Sequence, residues 1–281
     1  MIGILMMSSV GVSLAQTYQH DFQRMVGLPF SGAVNYTLEK TADNGYVVAA
    51  IMEASSGGVS QDKLVFYRLD ANFSVISELA CQLDMGVNGG AFEPLDIQET
   101  SLGYVIAGKV IVEGGANSGG FLLHLRNGGK AGLLYDWMQV YPSYNPGGTA
   151  VRLLHEVVET SEGFMVIGHS FSGPETKGVV IGTDFSGNVL WSKYIYDEQY
   201  PGNIQSTLND MVLINPDEVA IVGTVNSFSV DDADVVVTKI RADGDVTDSK
   251  VYERFGSVYG DDDGLAFLER GGAITYNPTN R

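Results

Sequence analysis

Short apolar runs separated by turn-forming residues fill the chain from about residue 32 to its end. The runs are rich in Val, Ile, Tyr and Phe, and Gly, Asn and Asp stand between them. The chain lacks the 3.6-residue spacing that is typical of an amphipathic helix. Runs of this kind indicate β-strands joined by turns. The pattern therefore predicts an all-β protein.

One short phrase recurs four times at a nearly constant spacing. It reads GYVVAA from residue 45, GYVIAG from 103, GFMVIG from 163 and EVAIVG from 218, in steps of 58, 60 and 55 residues. A second phrase ends in turns at Phe73, Gly129, Gly187 and Gly244, in steps of 56, 58 and 57 residues. Two independent anchors with one period indicate a repeat of about 57 residues, and such a repeat sets the architecture.

The third repeat shows the layout of a unit. Its apolar runs predict strands over residues 153–159, 164–167, 178–183 and 189–196, with turns at 160–163 and 185–188 and a loop over 170–177. A β-solenoid would have a much shorter period, and helical repeats would show helical spacing. Four antiparallel strands in a unit of this length are typical of a β-propeller blade. We therefore predict a β-propeller of four-stranded antiparallel blades.

Both ends of the chain fit a fifth, shared blade. The predicted units cover residues 32–83, 94–141, 152–196 and 208–254, with a partial unit over 264–281 and a closing outer strand over 17–24. The 266 residues after residue 15 hold about 4.7 periods. We predict one domain, residues 16–281, with about five blades, either closed or left open as part of a larger propeller. Closure is favoured because it removes exposed sheet edges.

Residues 1–15 precede this pattern and contain no charged residue. They are apolar and small, and they end in Ser13, Leu14 and Ala15, which places small residues where a signal peptidase needs them. The run is too short for a helix that spans a bilayer, which takes about 20 residues. No Lys or Arg precedes it, so an apolar tail is the alternative. We expect a signal peptide, no transmembrane segment and a secreted, periplasmic or cell-surface protein.

The units share a longer consensus, D-x-x-[VL]-x-[KR]-[LI]-D-x-x-G-x-x-x-W-x-K-x-Y followed by x-E-T-x-x-G-[YF]-x-[VI]-x-G. It resembles the repeat of large secreted bacterial β-propeller proteins, in which the repeats often precede a C-terminal sorting domain; no such domain is found in this sequence. The best match contains Glu159, Thr160, Gly163, Phe164, Gly168, Asp184, Gly187, Trp191, Lys193 and Tyr194. Phe73, Arg126 and Glu218 depart from the consensus. The resemblance implies a fold and no particular activity.

Composition and charge narrow the range of partners. The chain has 34 acidic and 16 basic side chains, for a formal net charge of −18. An acidic surface argues against nucleic acid or anionic lipid as the main partner. The single cysteine excludes an internal disulfide, and an apolar fraction of 44% is sufficient for a packed core. We expect a monomer whose ligand is a glycan or a protein.

The candidate binding face is the one formed by the connections after the second and fourth strands of each blade, because these are long and differ between units. They cover residues 53–61, 109–118, 169–176 and 224–232 within units, and 84–93, 142–150, 197–207 and 255–263 between them. Variable loops on a rigid scaffold commonly bind ligands. Six aromatic residues form the candidate ligand-binding set, with packing beneath their own loops as the alternative: Tyr141, Tyr144, Tyr196, Tyr200, Phe255 and Tyr259.

Two acidic clusters in the same connections offer oxygen ligands for Ca²⁺, the one cofactor that the sequence suggests. They are Asp231, Asp232 and Asp234, and Asp261, Asp262 and Asp263. Neither cluster has the alternating spacing of an EF-hand loop. Solvated acidic residues, with Asp234 capping a turn, are the alternative.

A recurring glutamate raises the alternative of an enzyme. Glu99, Glu159 and Glu269 occupy matching positions at the ends of first strands, and paired carboxylates can hydrolyse glycosides. A catalytic pair needs two different environments, whereas these residues recur with the repeat, so we expect a structural role. The four histidines are scattered and predict no cluster. The sequence predicts a binding or adhesion module; the alternatives are a carbohydrate-active hydrolase or lyase and a structural fragment of a larger propeller.

Overall fold

Four sheets, each with four antiparallel strands in chain order, make up the described part of the molecule. The structure is a computed structural model that describes residues 33–56, 59–81, 91–111, 119–129, 132–142, 151–172, 175–195, 204–227 and 233–252. The predictions for residues 1–15, 17–24 and 264–281 lie outside these residues. The prediction of an all-β protein of four-stranded antiparallel units is confirmed.

The strands of each sheet follow the repeat. The first sheet contains β1 (Ala33–Lys40), β2 (Tyr46–Ser56), β3 (Val59–Leu69) and β4 (Val75–Cys81). The second contains β5 (Ala91–Thr100), β6 (Gly103–Ile111), β7 (Gly119–Asn127) and β8 (Leu133–Pro142). The third contains β9 (Leu153–Glu159), β10 (Phe164–Ser172), β11 (Glu175–Thr183) and β12 (Val189–Ile195). The fourth contains β13 (Ile204–Asn215), β14 (Glu218–Ser227), β15 (Ala233–Arg241) and β16 (Val246–Tyr252).

Two predicted loops on the candidate binding face are largely strand. In the third sheet, pairing of β10 with β11 continues out to Ser172 and Glu175, where a loop over 170–177 was expected. In the first sheet, β2 and β3 remain paired out to Ser56 and Val59, inside the expected loop 53–61. The polar sequence of these segments, which contains several Ser and Gly residues, hid the strands, because strand formation depends on neighbouring pairs more than on residue preference.

Successive sheets pack face to face in chain order. β1 contacts β5, β5 contacts β9 and β9 contacts β13. We call the interface between the first and second sheets the first joint, that between the second and third the second joint, and that between the third and fourth the third joint. Each joint is filled by buried apolar side chains, among them Phe66 and Phe121 in the first, Leu154 and Phe164 in the second, and Leu208 and Ile221 in the third. Burial of this apolar surface is the main force that holds the sheets together.

Tryptophans of the fourth strands close the second and third joints against a turn of the next sheet. Trp137 in β8 lies against Gly187, and Trp191 in β12 lies against Gly244; a Cβ on either glycine would come within 2.6 Å of the indole. Both glycines have left-handed backbones, with φ of 78° and 90°, which other residues rarely adopt. The Trp191 indole also donates a hydrogen bond to the Ala242 carbonyl oxygen at 2.7 Å. The Trp and Gly of the repeat motif therefore have a structural role.

Candidate functional site

A β-bulge interrupts the first strands of the second, third and fourth sheets at the same place. The pairing of each strand with its neighbour shifts by one residue just before Asp96 in β5, Glu156 in β9 and Asp210 in β13. A bulge re-aims the side chains next to it, and bulges are common beside functional sites. Three carboxyl groups thus occupy one repeat position on three strands that lie side by side.

Two of these carboxyl groups join neighbouring sheets directly. Asp96 Oδ2 accepts a hydrogen bond from the Val157 N–H at 2.9 Å, across the second joint. Glu156 Oε2 accepts one from the Met211 N–H at 2.9 Å, across the third joint. In both cases the donor is the residue that follows the carboxyl position in the next sheet. The repeat therefore places the same bond in successive joints.

The pKa values of Asp96 and Glu156 are raised to different extents. Burial raises the pKa of Asp96 to about 6, against the pull of its backbone hydrogen bonds. Burial and a hydrogen bond with the Asp210 side chain raise the pKa of Glu156 to about 9, so Glu156 is a neutral acid at pH 7. Burial and the charge of Asp96 also raise the pKa of Glu39 on β1. The first strands therefore carry acids that ionise over a wide range of pH.

Two histidines lie beside this set, although the sequence predicted no histidine cluster. The rings of His155 and His169 are 4.8 Å apart, edge to face. His155 Nε2 donates to the Leu208 carbonyl oxygen at 2.5 Å, and His169 Nε2 lies 3.2 Å from the same oxygen. Burial and then the neighbouring His169 lower the pKa of His155 to about 4, and burial lowers that of His169. The prediction failed because His155 is the extra residue of the bulge and His169 lies on a strand.

Glu99 and Glu159 join the sheets at their short turns. Glu99 Oε2 accepts a hydrogen bond from the Ala42 N–H at 2.5 Å, and Glu159 Oε2 accepts one from the Ser101 N–H at 2.7 Å. The Ser101 hydroxyl also donates to Glu159. These bonds confirm the expected structural role of the two glutamates. They line an open groove of about 650 Å³ whose walls include Glu39, Gln98, Glu99, Thr100, Ser101 and Glu159.

Of the six aromatic residues predicted to bind ligand, Tyr141 is described. It is 7% exposed and lies in the second joint, where its hydroxyl donates to the Gly187 carbonyl oxygen at 2.7 Å. Burial strongly raises its pKa, so the phenol stays neutral. Tyr144, Tyr196, Tyr200, Phe255 and Tyr259 lie outside the described residues, and binding by the set stays a prediction.

The predicted calcium ligands are almost entirely outside the described residues. Asp231, Asp232, Asp261, Asp262 and Asp263 lie there, and Asp234 is described by its backbone, which pairs with Val225 near the start of β15. Within the ranges that the structure covers, no three His, Cys, Asp or Glu side chains are arranged to hold a metal ion. The same ranges contain no helix that is long and apolar enough to cross a membrane.

No family model matches the chain, and no curated protein shows significant similarity to it.

Sequence reasoning missed the carboxyl set, which consists of Asp96, Glu156 and Asp210, although the sequence carried a signal for it. Asp96 and Glu156 each stand three residues before the recurring glutamates Glu99 and Glu159. The pattern acidic-x-x-Glu-Thr therefore occurs in two successive units. The partner of Glu156 was harder to find, because Asp210 is followed by Leu213 where the glutamate would be.

Proposed function

We propose that the chain is a secreted or cell-surface β-propeller that acts as a binding or adhesion module. The observation that carries the proposal is the stacking of four blade-like sheets in chain order, joined by bonds that recur at fixed repeat positions. Such a scaffold is rigid at one face, where short turns are bonded to each other. The variable connections at the other face are then the candidates for ligand contact.

The ring is proposed to have about five blades, with residues 264–281 and 17–24 in the closing blade. Support comes from the first sheet. Leu38 in β1 is 38% exposed, whereas the residues at the matching position in the other sheets, Ile97, Val157 and Met211, are at most 4% exposed. In those three sheets the preceding sheet covers the position, so a further sheet on the first one would bury Leu38 as well.

A charge placed on this surface tests the ring. In a closed propeller, Leu38→Glu buries an unpaired carboxylate and lowers the melting temperature of the full chain by several degrees. Leu102→Glu is the matched control, because Leu102 lies in a short turn and is 53% exposed. Equal and small effects of the two changes would contradict closure and favour an open propeller fragment.

The ligand is proposed to be a glycan or a protein, held by the aromatic residues of the long connections, with Ca²⁺ as the proposed cofactor. The net charge of −18 supports a ligand other than nucleic acid. The resemblance of the repeat to secreted bacterial β-propeller proteins supports a location outside the cytoplasm. The proposed sites for the ligand and for Ca²⁺ are both on the face opposite the bonded turns.

A glycan array probed with residues 16–281, with and without Ca²⁺, tests this function. We expect retention on one class of glycan and its loss in the triple variant Tyr144→Ala, Tyr200→Ala, Tyr259→Ala. Leu102→Ala and Phe185→Ala are controls, because both residues are exposed in short turns on the other face. Absence of glycan binding together with a melting temperature that Ca²⁺ leaves unchanged would remove the glycan and calcium versions of the proposal.

A second candidate, a carbohydrate-active hydrolase or lyase, is favoured by the carboxyl set. Glu156 is a neutral acid at pH 7 and Asp96 ionises near pH 6, and two carboxyl groups in unlike environments are what acid–base catalysis of glycoside cleavage requires. Release of reducing sugar from a polysaccharide panel, abolished by Asp96→Asn, would support it. A panel without turnover at any pH from about 4 to about 9 leaves the binding module.

A further inference from the structure

One contact in the third joint has no counterpart in the second joint among the described bonds. The side chain of Glu156 in β9 hydrogen-bonds to the side chain of Asp210 in β13. Two ionised carboxylates have acceptor oxygens alone, so a hydrogen bond between them must contain a proton. Glu156 Oε2 is already an acceptor for the Met211 N–H, at 2.9 Å. The side chain of Glu156 therefore makes two bonds to the fourth sheet, and one of them needs the proton.

We propose that one proton shared by Glu156 and Asp210 locks the third sheet to the fourth at neutral pH, and that its loss in alkaline solution loosens this joint. The device needs no ligand, and it is independent of the proposed binding function. Its chemistry is that of an acid pair in which like charges in contact cannot both ionise.

The groups that face Glu156 and Asp210 favour the protonated form of the pair. Asp96 on β5 adds a negative charge, which disfavours ionisation of Glu156. His155 on β9 and His169 on β10 are bases at this joint, but the Nε2 of each lies against the Leu208 carbonyl oxygen, and burial lowers the pKa of both. No cation is thus supplied by these groups to stabilise an ionised pair.

The cationic side chains on the remaining strands that pack against β9 are paired with other acids. Lys109 on β6 pairs with Glu93, with 2.6 Å between Nζ and Oε2. His124 on β7 has its Nδ1 3.0 Å from Asp136 Oδ2. Protonation of Glu156 is therefore favoured first by its burial and then by the acids around it.

The direction of the pH effect on stability follows from the different pKa values of Glu156 in the folded and unfolded chain. An unfolded chain loses the Glu156 proton near the ordinary pKa of 4.5, whereas the folded chain keeps it up to about 9. The folded state binds more protons between these values, so its stability is highest below the lower value and falls as pH rises through the window. Above the upper value both states have lost the proton and the decline ends.

Thermal unfolding of the full chain at a series of pH values, from about 5 to about 10, tests the proposal. Glu156→Gln keeps a donor for Asp210 and an acceptor for the Met211 N–H, but it cannot ionise. We expect the melting temperature of wild type to fall with rising pH, and the variant to fall less, so that their difference grows by several degrees. The control is Glu162→Gln, an exposed residue in the turn after β9, which should run parallel to wild type.

If the melting temperatures of wild type and Glu156→Gln differ by the same amount at all pH values, the proposal is overturned. If Glu156→Gln does not fold, Asp210→Asn makes the same test from the other side of the bond. In addition, the infrared C=O band of a protonated carboxyl should persist in wild type at pH 7 and disappear in alkaline buffer. Absence of that band at pH 7 would also overturn the proposal.

Discussion

The second and third joints are built from the same repeat positions and differ in their polar contacts. At the centre, Asp96 crosses the second joint with a bond to a backbone N–H, while Glu156 crosses the third joint with a backbone bond and a second bond to Asp210. At the short turns, Glu159 holds the second joint through the Ser101 N–H. Leu213, which pairs with Val219 as Glu159 pairs with Phe164, stands at that position of the fourth sheet.

The third joint compensates for the missing glutamate with other groups. The Ser161 N–H donates to the Pro216 carbonyl oxygen at 2.8 Å, and the Ser161 hydroxyl donates to Asp217. What the two joints share without change is apolar contact: Leu154 and Leu208, at matching positions, are both 0% exposed. Burial therefore sets the arrangement of the sheets, while different polar bonds at each joint meet the same requirement.

The largest expected effect comes from the shared apolar contact. Leu154→Ala and Leu208→Ala should each lower the free energy of unfolding by about 2–5 kcal/mol, because each leaves a cavity beside a glycine of the preceding sheet. A Cβ on that glycine, Gly120 or Gly178, would come within 2.6 Å of the leucine Cγ, which shows how closely each pair fits. Urea unfolding of the two variants measures the costs. The control is Leu190→Ala, a residue that is 52% exposed. Costs for Leu154 and Leu208 no larger than that of the control would refute the idea that burial dominates both joints.

The centre of the second joint predicts a separate pH effect. The ordinary pKa of Asp96 is 3.8 and its folded value is about 6, so its protonation favours the folded state and this contribution is lost as pH rises from about 4 to about 6. Asp96→Asn retains an acceptor for the Val157 N–H and removes the titration. Relative to wild type, the variant should gain roughly 2–3 kcal/mol across that window. Unfolding in denaturant at a series of pH values gives the free energy of unfolding of both proteins. A difference that stays constant with pH would show that burial does not raise the pKa of Asp96.

A smaller effect is expected at the short turns of the second joint. Glu159→Gln replaces one of two acceptor oxygens that bind Ser101 and should cost about 0.5–1.5 kcal/mol. Hydrogen exchange at the Ser101 amide, which should become faster in the variant, reports on the bond itself. An unchanged exchange rate would mean that this bond does not hold the turn.

The smallest effect is expected where the third joint lacks the glutamate. Leu213→Glu restores the repeat residue, but the Ser161 N–H already has the Pro216 carbonyl as its acceptor. Because Leu213 is 36% exposed, the exchange should change the free energy of unfolding by no more than about 0.5 kcal/mol. A gain in the free energy of unfolding as large as the loss in Glu159→Gln would show that the bonds of Ser161 do not fully replace the missing glutamate.

The strands were predictable where a short run that contains several Leu and Val residues is bounded by turn residues. Residues 153–159 form such a run, and β9 begins and ends there. The extension of β10 to Ser172 was hidden because pairing with the neighbouring strand, rather than residue preference, stabilises its polar end. The bulges were hidden for a related reason: one extra residue breaks the two-residue period locally, and only the partner strand shows the shift.

The candidate site was predictable in part. The acidic residues three positions before Glu99 and Glu159 are visible in the sequence, but their roles depend on which backbone N–H the next sheet presents. The bond between Glu156 and Asp210 joins residues one repeat apart, each of which follows a bulge in its strand. Contacts of this kind arise from the stacking of sheets, which no single repeat encodes.

The most direct test of the account is the titration of individual carboxyl carbons by ¹³C NMR in the intact, folded chain. We expect Glu156 to titrate near pH 9 and Asp96 near pH 6, because both are buried and Glu156 also meets a second carboxyl group, whereas Asp96 accepts backbone hydrogen bonds. Glu156 titrating close to the ordinary value of 4.5 would contradict the shared proton and, with it, the difference between the two joints.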